Sequence, residues 1–549
     1  MFSESDVVSK QRRNLVSLLK TEAGTLSGGD AASVLSAEQL GHIRHFDNLS
    51  RQLRNDWSLM QGKGTGQDDF GALRFQLAYM AYALALTHRH RLPNAPGVFK
   101  PVFERLIEKM TMPEVWMYWR DVSKGGAWPN AHLVDKYQEE WNPVARDNIM
   151  YSAYVQSMVL LYNYLFADDR YAQPEALAFE HWSYFWGGEA KRFTYDQNSL
   201  NEHIYWQMVE SGFLGVACEP NCTFQICNQP AILGFRLHDL LTGENVAAEV
   251  TQSYEQAWSQ LGGRLDSTGH YNMFLAQDSR TVYPNAAKAP WVDAWCGTLM
   301  NMWNRDFVRA NYPQQIKDLL TDGPHGTKSV KPSPKLELMG QTLIADSCDF
   351  GWVATWAAEM GDTETLEGIL GHADRYMNPT WRDGGLYYPR NDTEYDESGN
   401  RTELEPLSGN VLLGYARLNV PDGMWKLYNE SWRPGHFTEP ALTGVAADIS
   451  VSQARFTPAS HTLAFQVQRH GDRRGDGSII LGNVADREQW ALREGGTVLA
   501  TGQEGGSVTP QPEADRAQGI EIQHVTEGIE LRIPAGAPRT FELEVSPPQ

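Results

Sequence analysis

The sequence predicts a mainly α protein in which an α/α toroid of about six helical hairpins precedes a small antiparallel β-sandwich domain. Three observations carry this prediction. Apolar residues recur at helical spacing in one segment after another between residues 36 and 421. After about residue 435 the apolar segments become short and mostly alternate with polar residues. At 549 residues the chain is too long for one compact core. We therefore expect two domains, residues 1–435 and residues 436–549.

Segments with helical spacing of apolar side chains alternate with loops rich in Gly, Asp and aromatic residues. The segments are 73–86, 99–110, 148–166, 231–241, 291–303, 340–360 and 363–376. Segment 148–166 is apolar almost all round, which predicts a deeply buried helix with Asp147 as its N-cap. The loops include 262–269 and 383–390. Long paired helices with such loops are typical of a toroid of about a dozen helices, whose loops meet around a central cavity at one end.

Short strand-like segments follow near the carboxyl end of the chain, separated by Gly, Pro and Asp turns. They are 461–468, 478–482, 519–525, 528–533 and 540–545. We interpret them as an antiparallel β-sandwich. We expect this domain to support or cap the helical domain, which would carry the catalytic site, and not to bind a ligand itself.

The composition excludes several classes of protein. A net charge of −21 argues against a nucleic-acid partner, because phosphates would be repelled along most of the surface. No apolar run reaches the roughly 18 residues that a membrane span needs, and the amino terminus lacks the apolar stretch of a signal peptide. Five cysteines, an odd number in a long chain, do not indicate a disulfide framework. We therefore expect a cytoplasmic protein.

Three of the five cysteines lie close together in the segment GVACEPNCTFQICN at 215–228. The C-x3-C spacing of Cys218 and Cys222 lacks a second Cys/His pair for zinc, and no C-x-x-C redox motif is present. These thiols either fill a core as small hydrophobic side chains or form an active-site loop. Because the segment is polar and contains a proline, we interpret it as an active-site loop. The 18 tryptophans indicate a pocket with aromatic walls.

At NIMY (148–151) and at CEP…CN (218–228) the sequence resembles the linalool dehydratase/isomerase family. The resemblance covers about residues 47–388 and includes the Pro-Trp pair at 290–291 and the Met-Gly-Asp turn at 360–362. It implies an α/α barrel that acts without a metal or cofactor on a terpenoid or similar allylic alcohol. It also implies a small hydrophobic substrate and a homo-oligomer in which a neighbouring subunit completes the pocket.

The resemblance also implies roles for individual residues. The two active-site cysteines of the family match Cys218 and Cys227, which are nine residues apart in both. The acid after the first cysteine matches Glu219, and the pocket methionine matches Met150. The aspartate that an adjacent subunit contributes in the family matches Asp47.

The sequence departs from the family at several positions. The catalytic histidine falls at Tyr154, and the pocket tyrosine falls at Phe75, with Tyr79 one helical turn away as a substitute. Met112 stands at one position of the family disulfide, and the β-domain has no counterpart. Loss of the bridge is consistent with a reducing compartment. Loss of the histidine indicates a different, larger terpenoid substrate or a reaction that cyclises the cation.

Dehydration of an allylic alcohol needs an acid for the leaving hydroxyl, a base for a neighbouring C–H proton and a dry aromatic cavity for the cation. Asp47 or Glu219 is the candidate acid. Cys218 and Cys227 would act as an acid/base pair or form a covalent thioether with the allylic carbon. Tyr154 would donate a hydrogen bond or a proton. The expected substrate-binding residues are Met150, Phe75, Tyr79, Phe224, Asn228 and Trp291.

Two other functions compete with this interpretation. A toroid followed by a β-sandwich also fits a carbohydrate-active enzyme, a glycoside hydrolase or polysaccharide lyase, which needs two facing carboxylates about 5–9.5 Å apart. Alternatively, the toroid is a scaffold and the β-domain a binding module, so that blocking the thiols leaves function intact. The acidic pair Asp68-Asp69 is interpreted as a helix N-cap.

Overall fold

The computed structural model describes most of the chain after residue 33. The described residues are 34–64, 67, 70–125, 130–133, 136–183, 185, 188–334, 336–338, 341–343, 348–485, 487–503, 507–510 and 519–547. The expected helix cap at Asp68-Asp69 lies outside them. Within these residues, every helix is too short or too polar to cross a membrane.

The main helices of the described residues follow one another in an alternating pattern. In chain order they are α1 (Ala37–Ser50), α2 (Leu73–His90), α3 (Pro96–Met110), α4 (Ile149–Phe166), α5 (Gln197–Glu210), α6 (Gln225–Thr242), α7 (Val246–Ser259), α8 (Pro290–Met300), α9 (Arg305–Leu319), α10 (Asp349–Met360), α11 (Thr363–Tyr376) and α12 (Leu413–Leu418). A π-helical turn, Leu407–Leu412, leads into α12. Shorter helices are Pro113–Trp116, Tyr118–Val122 and Gly423–Asn429.

The even-numbered helices form a closed ring. Helix α2 packs against α4, α4 against α6, and so on through α8 and α10 to α12, which packs against α2. Each odd-numbered helix packs against one or two ring helices from outside. This is the arrangement of an α/α toroid, and it explains the sequence pattern. Ring helices are buried nearly all round, as every residue of α10 is, whereas α5 and α7 bury only one face.

Two helix starts differ from the sequence prediction. Asp147 does not cap α4, because the cap position belongs to Asn148, whose backbone is left-handed with φ of 55°. The Asp147 carboxylate binds Arg146 at 3.1 Å instead. The helix expected from residue 340 begins at Asp349, and residues 341–343 form a short strand. In contrast, Thr363–Tyr376 has the predicted bounds, and Asp362 caps it by accepting a hydrogen bond from the Thr365 N–H.

The carboxyl-terminal region consists of antiparallel sheets, as predicted. Its strands are β1 (Ala441–Val445), β2 (Ile449–Thr457), β3 (Thr462–Arg469), β4 (Ser478–Gly482), β5 (Gln489–Glu494), β6 (Thr497–Gln503), β7 (Ser507–Pro510), β8 (Glu521–Val525), β9 (Gly528–Arg532) and β10 (Arg539–Val545). One sheet has the order β1-β4-β9-β8 and the other β2-β3-β10-β5-β6-β7. The chain as a whole therefore mixes helices with sheets, and the description "mainly α" fits only the part before this region.

Short strands also occur between the helices, mostly as hairpins. They are Leu177–His181 with Lys191–Tyr195, Cys222–Thr223 with Phe274–Ala276 and Thr281–Tyr283, Leu320–Asp322 with Lys328–Val330, Leu336–Leu338 with Gln341–Leu343, and Thr380–Arg382 with Gly385–Tyr387. The sheet that contains Cys222 fixes the loop before α6.

The carboxyl-terminal sheets, called the β-region below, contact the outer helices at Asn94. This residue lies in the turn before α3 and is 1% exposed. Its carbonyl accepts a hydrogen bond from the N–H of Leu442 at 2.8 Å, and its side-chain oxygen accepts one from the N–H of Phe456 at 2.8 Å. Gly97 lies so close to the backbone of Thr443 that an added Cβ would sit 2.7 Å from it. Both contacts attach the sheets to the outer helix α3 and to the turn before it.

Candidate active site

The amino-terminal turns of the ring helices meet at one end of the toroid. The N–H of Trp291 in α8 donates to the Asp349 carboxylate of α10 at 3.0 Å. The N–H of Gly351 in α10 donates to the hydroxyl of Ser408, in the π turn before α12, at 3.0 Å. Because the positive ends of the helix dipoles converge here, this end of the ring favours negative charge. The cysteine loop lies at this end, directly before α6.

A tight turn brings the first cysteine back towards the helix. The N–H of Cys222 donates to the Glu219 carbonyl at 2.9 Å, and the N–H of Cys218 donates to the Cys222 carbonyl at 2.8 Å. Pro220 occupies the second position of this turn and Asn221 the third, with φ of 72°. Proline followed by a residue with positive φ is the pattern of a type II turn. The sequence EPNC therefore folds back on itself and places Cys218 beside α6.

Asn228 holds the other side of the loop. Its side-chain oxygen accepts a hydrogen bond from the N–H of Val216 at 2.8 Å, and its amide donates to the carbonyls of Val216 and Phe224 at 3.1 and 2.9 Å. Both amide hydrogens are thus bound to backbone. The structure places Asn228, expected in substrate binding, as the residue that positions the loop.

Cys218 and Cys227 are 4% and 0% exposed, and both are free thiols. Burial raises the pKa of Cys218 well above its ordinary value, and the hydrogen bond that it shares with Cys227 raises it further. Burial also raises the pKa of Cys227, but the hydrogen bond from Cys218 and the charge of Arg74 oppose that rise. Burial therefore favours the protonated form of both thiols.

Arg74, in the first turn of α2, is the nearby cation and is 2% exposed. Its guanidinium lies 4.4 Å from the centre of the Phe75 ring and 4.1 Å from that of the Tyr118 ring, and it donates to the Gln67 carbonyl. Among the described residues, no carboxylate forms an ion pair with it. Burial raises the pKa of Tyr118, and the Arg74 charge opposes that rise as it does for the thiols. The sequence prediction missed Arg74, although it is the one charged residue in the segment 73–86.

An aromatic wall lies next to the thiols and is defined by Phe75, Tyr79, Tyr154 and Trp295. Their side chains are at most 1% exposed. The Tyr79 and Tyr154 hydroxyl oxygens are 3.0 Å apart, and the Trp295 indole donates to the Tyr79 oxygen at 2.5 Å. The Phe75 ring packs edge-on against Tyr154 and Trp295 at 5.9 and 5.5 Å. Burial raises the pKa of Tyr154 well above its ordinary value, and the nearby Cys227 adds to the rise.

The charge of Glu219 affects all three cysteines of the loop. Its charge raises the pKa of Cys218 and of Cys227, in each case after the larger effect of burial. Burial, followed by Glu219, also raises the pKa of Cys222 to about 12. Cys222 accepts a hydrogen bond from the Asn130 amide at 3.5 Å, so it serves the loop's own structure.

The other expected substrate-binding residues lie in different surroundings. Met150 is 5% exposed in the first turn of α4, whose Ile149 N–H bonds the Ala217 carbonyl beside Cys218. Trp291 packs against Phe70 at 4.7 Å and extends the aromatic wall. In contrast, the Phe224 ring packs against Phe274 at 5.5 Å, on the hairpin side of the loop.

The structure does not group Asp47 with the thiols. Its carboxylate lies on the outer helix α1 and binds Arg44 at 3.0 Å, Arg51 at 2.8 Å and Arg105 at 2.7 Å. Arg44 in turn donates to the Ile449 carbonyl of the β-region. Three guanidinium groups thus bind this one carboxylate. The contribution of Asp47 to the pocket of an adjacent subunit stays a prediction.

A cavity of about 350 Å³ lies at the other end of the ring, where the ring helices finish. Arg91 and Arg417 line it together with Gly361, which ends α10. The cavity does not include the thiols.

The sequence model of the family described as "Linalool dehydratase/isomerase" matches residues 74–394, more than half of the chain. The match begins at Arg74 and includes both cysteines and the aromatic wall. It confirms the family that the sequence resembles.

Several solved structures are similar to this chain over most of their length. An inactive variant of an alpha-1,6-mannanase of Salegentibacter sp. HEL1_6, in complex with alpha-1,6-mannotriose, is 11% identical, with 70% of this chain and 99% of that chain covered and a TM-score of 0.38. A glycosyl hydrolase of family 88 from Bacteroides vulgatus is 10% identical, with coverages of 72% and 99% and a TM-score of 0.35. TM-scores this low do not support a fold assignment. The assignment of an α/α toroid therefore depends on the closed ring of helices in this structure.

Proposed function

Because the chain belongs to the linalool dehydratase/isomerase family, we propose that it is a cofactor-independent lyase or isomerase acting on a small allylic alcohol of the terpenoid class. The observation that carries the proposal is the buried pair Cys218 and Cys227, which lies beside the Arg74 cation and the aromatic wall. The reaction removes water from the alcohol. In reverse it hydrates the alkene, and return of water to the other end of the allyl group isomerises the alcohol.

In this proposal Tyr154 is the acid. Burial keeps its phenol protonated at neutral pH, because its pKa lies well above the ordinary value. Its proton passes to the leaving hydroxyl as the C–O bond breaks, and the hydroxyl departs as water. The phenol thereby takes the place of the histidine that the family carries at this position.

Cys227 is the base. Its thiolate removes a proton from the carbon next to the cation, and the C–H electron pair becomes the new double bond. The hydrogen bond from Cys218 and the charge of Arg74 favour this thiolate. The proton on Cys227 then returns to the Tyr154 phenolate, which restores both groups for the next turnover.

The aromatic wall favours the cation that forms between these two steps. The faces of Phe75, Tyr79 and Trp295 carry negative charge density that attracts a cation. Since these side chains are fully buried, they also keep water away from a reactive intermediate.

The carbohydrate-active alternative is less favoured by the carboxylates at this end of the ring. Asp293 is bound by His270 at 2.5 Å and by the Tyr271 N–H at 2.8 Å. Asp349 accepts hydrogen bonds from Ser333 and from the Trp291 N–H. Both groups hold loops and helix ends together, whereas a glycosidase needs two carboxyl groups that face a sugar.

The test is to incubate the purified protein with linalool, geraniol, nerolidol and farnesol without added metal or cofactor. Gas chromatography–mass spectrometry would identify the products. We expect loss of water, a shifted hydroxyl or a ring, each abolished in Cys218→Ala and Cys227→Ala variants. Recovery of all four alcohols unchanged would overturn the proposed substrate class. Products that persist in both variants would remove the thiols from the mechanism.

A further inference from the structure

The cavity of about 350 Å³ at the end of the ring opposite the cysteine loop is lined by two arginines. Arg91 directly follows α2, and Arg417 lies in α12. Among the described residues that line the cavity, none carries a carboxylate. The chain as a whole has a net charge of −21, so a cavity with this lining differs from most of the surface. Its volume is near the lower end of the range for sites that bind small molecules.

Arg91 is held in place by backbone carbonyls. Its Nε donates to the Leu418 carbonyl at 2.6 Å, and its Nη2 donates to the Asn419 carbonyl at 2.8 Å. These two residues follow Arg417, so the two guanidinium groups belong to the same corner of the cavity. Within the described part of the chain, Nη1 of Arg91 makes no hydrogen bond and no carboxylate forms an ion pair with this residue. Its positive charge is therefore available to a ligand.

Arg417 has one acidic partner, which lies outside the lining of the cavity. Its Nη2 donates to the Asp374 carboxylate at 2.5 Å and to the Tyr388 hydroxyl at 2.9 Å. The Asp374 side chain is 47% exposed, so water weakens its hold on the charge of Arg417. The Nε of Arg417 is buried and has no hydrogen-bond partner among the described residues. Because a buried donor without an acceptor is destabilising, an oxygen atom of a bound anion would be favourable here.

The ends of the surrounding helices are compatible with an anion. The ring helices finish here, and their carbonyl ends would repel negative charge. However, Arg91 binds the carbonyls at the end of α12, and the N–H of Gly361 donates to the Ala358 carbonyl at the end of α10 at 3.2 Å. Two outer helices also begin at the cavity, because Ser36 caps α1 and Thr363 is the first residue of α11. Their positive dipole ends favour an anion.

The rest of the lining is largely apolar. Leu366 and Leu370 lie one helical turn apart on α11, and both are half-buried. Ala358, Ala416 and Pro421 add further apolar surface. A ligand that fills the cavity therefore needs a hydrocarbon part besides its anionic group.

We infer that this cavity is a second binding site, for a small organic anion whose phosphate or carboxylate group contacts the two arginines and whose short hydrocarbon part packs on the two leucines. Both anionic groups offer the oxygen acceptors that guanidinium groups bind well. The site lies at the opposite end of the ring from Cys218 and Cys227, and the inference does not depend on the proposed function.

Isothermal titration calorimetry of the full-length protein tests the inference with butyl phosphate, pentanoate, inorganic phosphate and butanol. We expect saturable binding of butyl phosphate, of pentanoate or of both, about tenfold tighter than that of butanol. The tighter of the two identifies the preferred anionic group. Absence of saturable binding of both organic anions, or equally tight binding of butanol, would overturn the inference. Equal binding of inorganic phosphate would contradict the part that concerns the hydrocarbon.

A pair of arginine variants locates the bound anion. Arg91→Gln removes the charge but keeps an amide that can donate to the carbonyls, and we expect the affinity for the better organic anion to fall about tenfold. Arg89→Gln is the matched control. Arg89 also binds two backbone carbonyls, those of Glu430 and Ser431 at 3.0 and 3.1 Å, but it does not line the cavity. An equal loss of affinity in both variants would overturn the inference, since it would reflect net charge alone.

A second pair of variants tests the site without removing any arginine. Leu366→Asp places a negative charge in the cavity, and Leu366→Asn has nearly the same shape without the charge. We expect the aspartate variant to bind the better organic anion about tenfold more weakly than the asparagine variant. Circular dichroism would confirm that both variants are folded. Equal affinities of these two variants would place the anion elsewhere and overturn the inference.

Discussion

Cys218 and Cys227 are two buried free thiols that influence each other's protonation, although they come from different local structures. Cys218 directly precedes a turn fixed by Pro220 and Asn221, and Cys227 lies in the first helical turn of α6. Burial raises the pKa of both thiols, and the charge of Arg74 opposes that rise in each case. In the proposed mechanism Cys227 is the base and Cys218 supports it.

Activity should rise with pH from neutrality into the alkaline range. The active form of Cys227 is the thiolate, and burial raises the pKa of this group above its ordinary value. Raising the pH therefore increases the active fraction, about tenfold for each pH unit below the pKa. A profile of kcat/KM against pH would measure this. A rate that falls between pH 7 and 9 would show that a protonated thiol is required.

Removal of the buried cation should weaken the base. In Arg74→Gln the pKa of Cys227 loses an opposing influence and moves further up. We expect kcat/KM at pH 7 to fall by about tenfold or more, and the loss to become smaller at higher pH as the thiolate returns. Arg74→Lys, which keeps the charge, is the matched control. A loss that is constant across the pH range would assign Arg74 to packing alone.

Asp47→Asn should affect stability and leave the chemistry intact. The substitution leaves Arg44 and Arg105 without their shared carboxylate, and we expect unfolding free energy to fall by about 2 kcal/mol. Urea denaturation would measure the loss, and kcat/KM would stay near the wild-type value. A large loss of activity with unchanged stability would instead restore the catalytic role that the resemblance implies.

Asn94→Ala should loosen the β-region from the helices. The variant loses the acceptor for the Phe456 N–H, a buried group, and we expect about 1–3 kcal/mol of destabilisation. Limited proteolysis should then release a carboxyl-terminal fragment at a lower temperature. Asn391→Ala, on the outer loops, is a control for the loss of an asparagine. Equal protease resistance of the Asn94 variant and the wild-type protein would contradict the prediction.

Much of the fold could be predicted from the sequence because ring and outer helices have different patterns. The nearly all-apolar segment 148–166 became the buried helix α4, and alternating segments after residue 435 became strands. The predicted cap of α4 was wrong because capping depends on backbone angles. Asn148 has a left-handed backbone and occupies the cap position in place of Asp147. Helix α10 starts at Asp349, nine residues later than expected, since apolar residues before it also suit strands.

The part of the site whose residues are close in the sequence could be predicted. Cys218 and Cys227 are close in the sequence, so a single turn joins them. Trp295 lies more than 200 residues from Tyr79, and only ring closure brings the two together. Arg74 was missed because a lone cation at a helix start usually reaches solvent. The ion pair of Asp47 with Arg105 could not be predicted, because Arg105 comes from a different helix.

The most direct test of this account compares the activity of two cysteine variants on the best allylic alcohol. Cys227→Ala removes the proposed base, whereas Cys296→Ala removes an equally buried thiol from the neighbouring ring helix α8. We predict a loss of about 10³-fold in kcat for the first variant, the size expected for a missing general base, and a rate close to wild type for the second. Equal activity of the two variants would contradict the central role of Cys227.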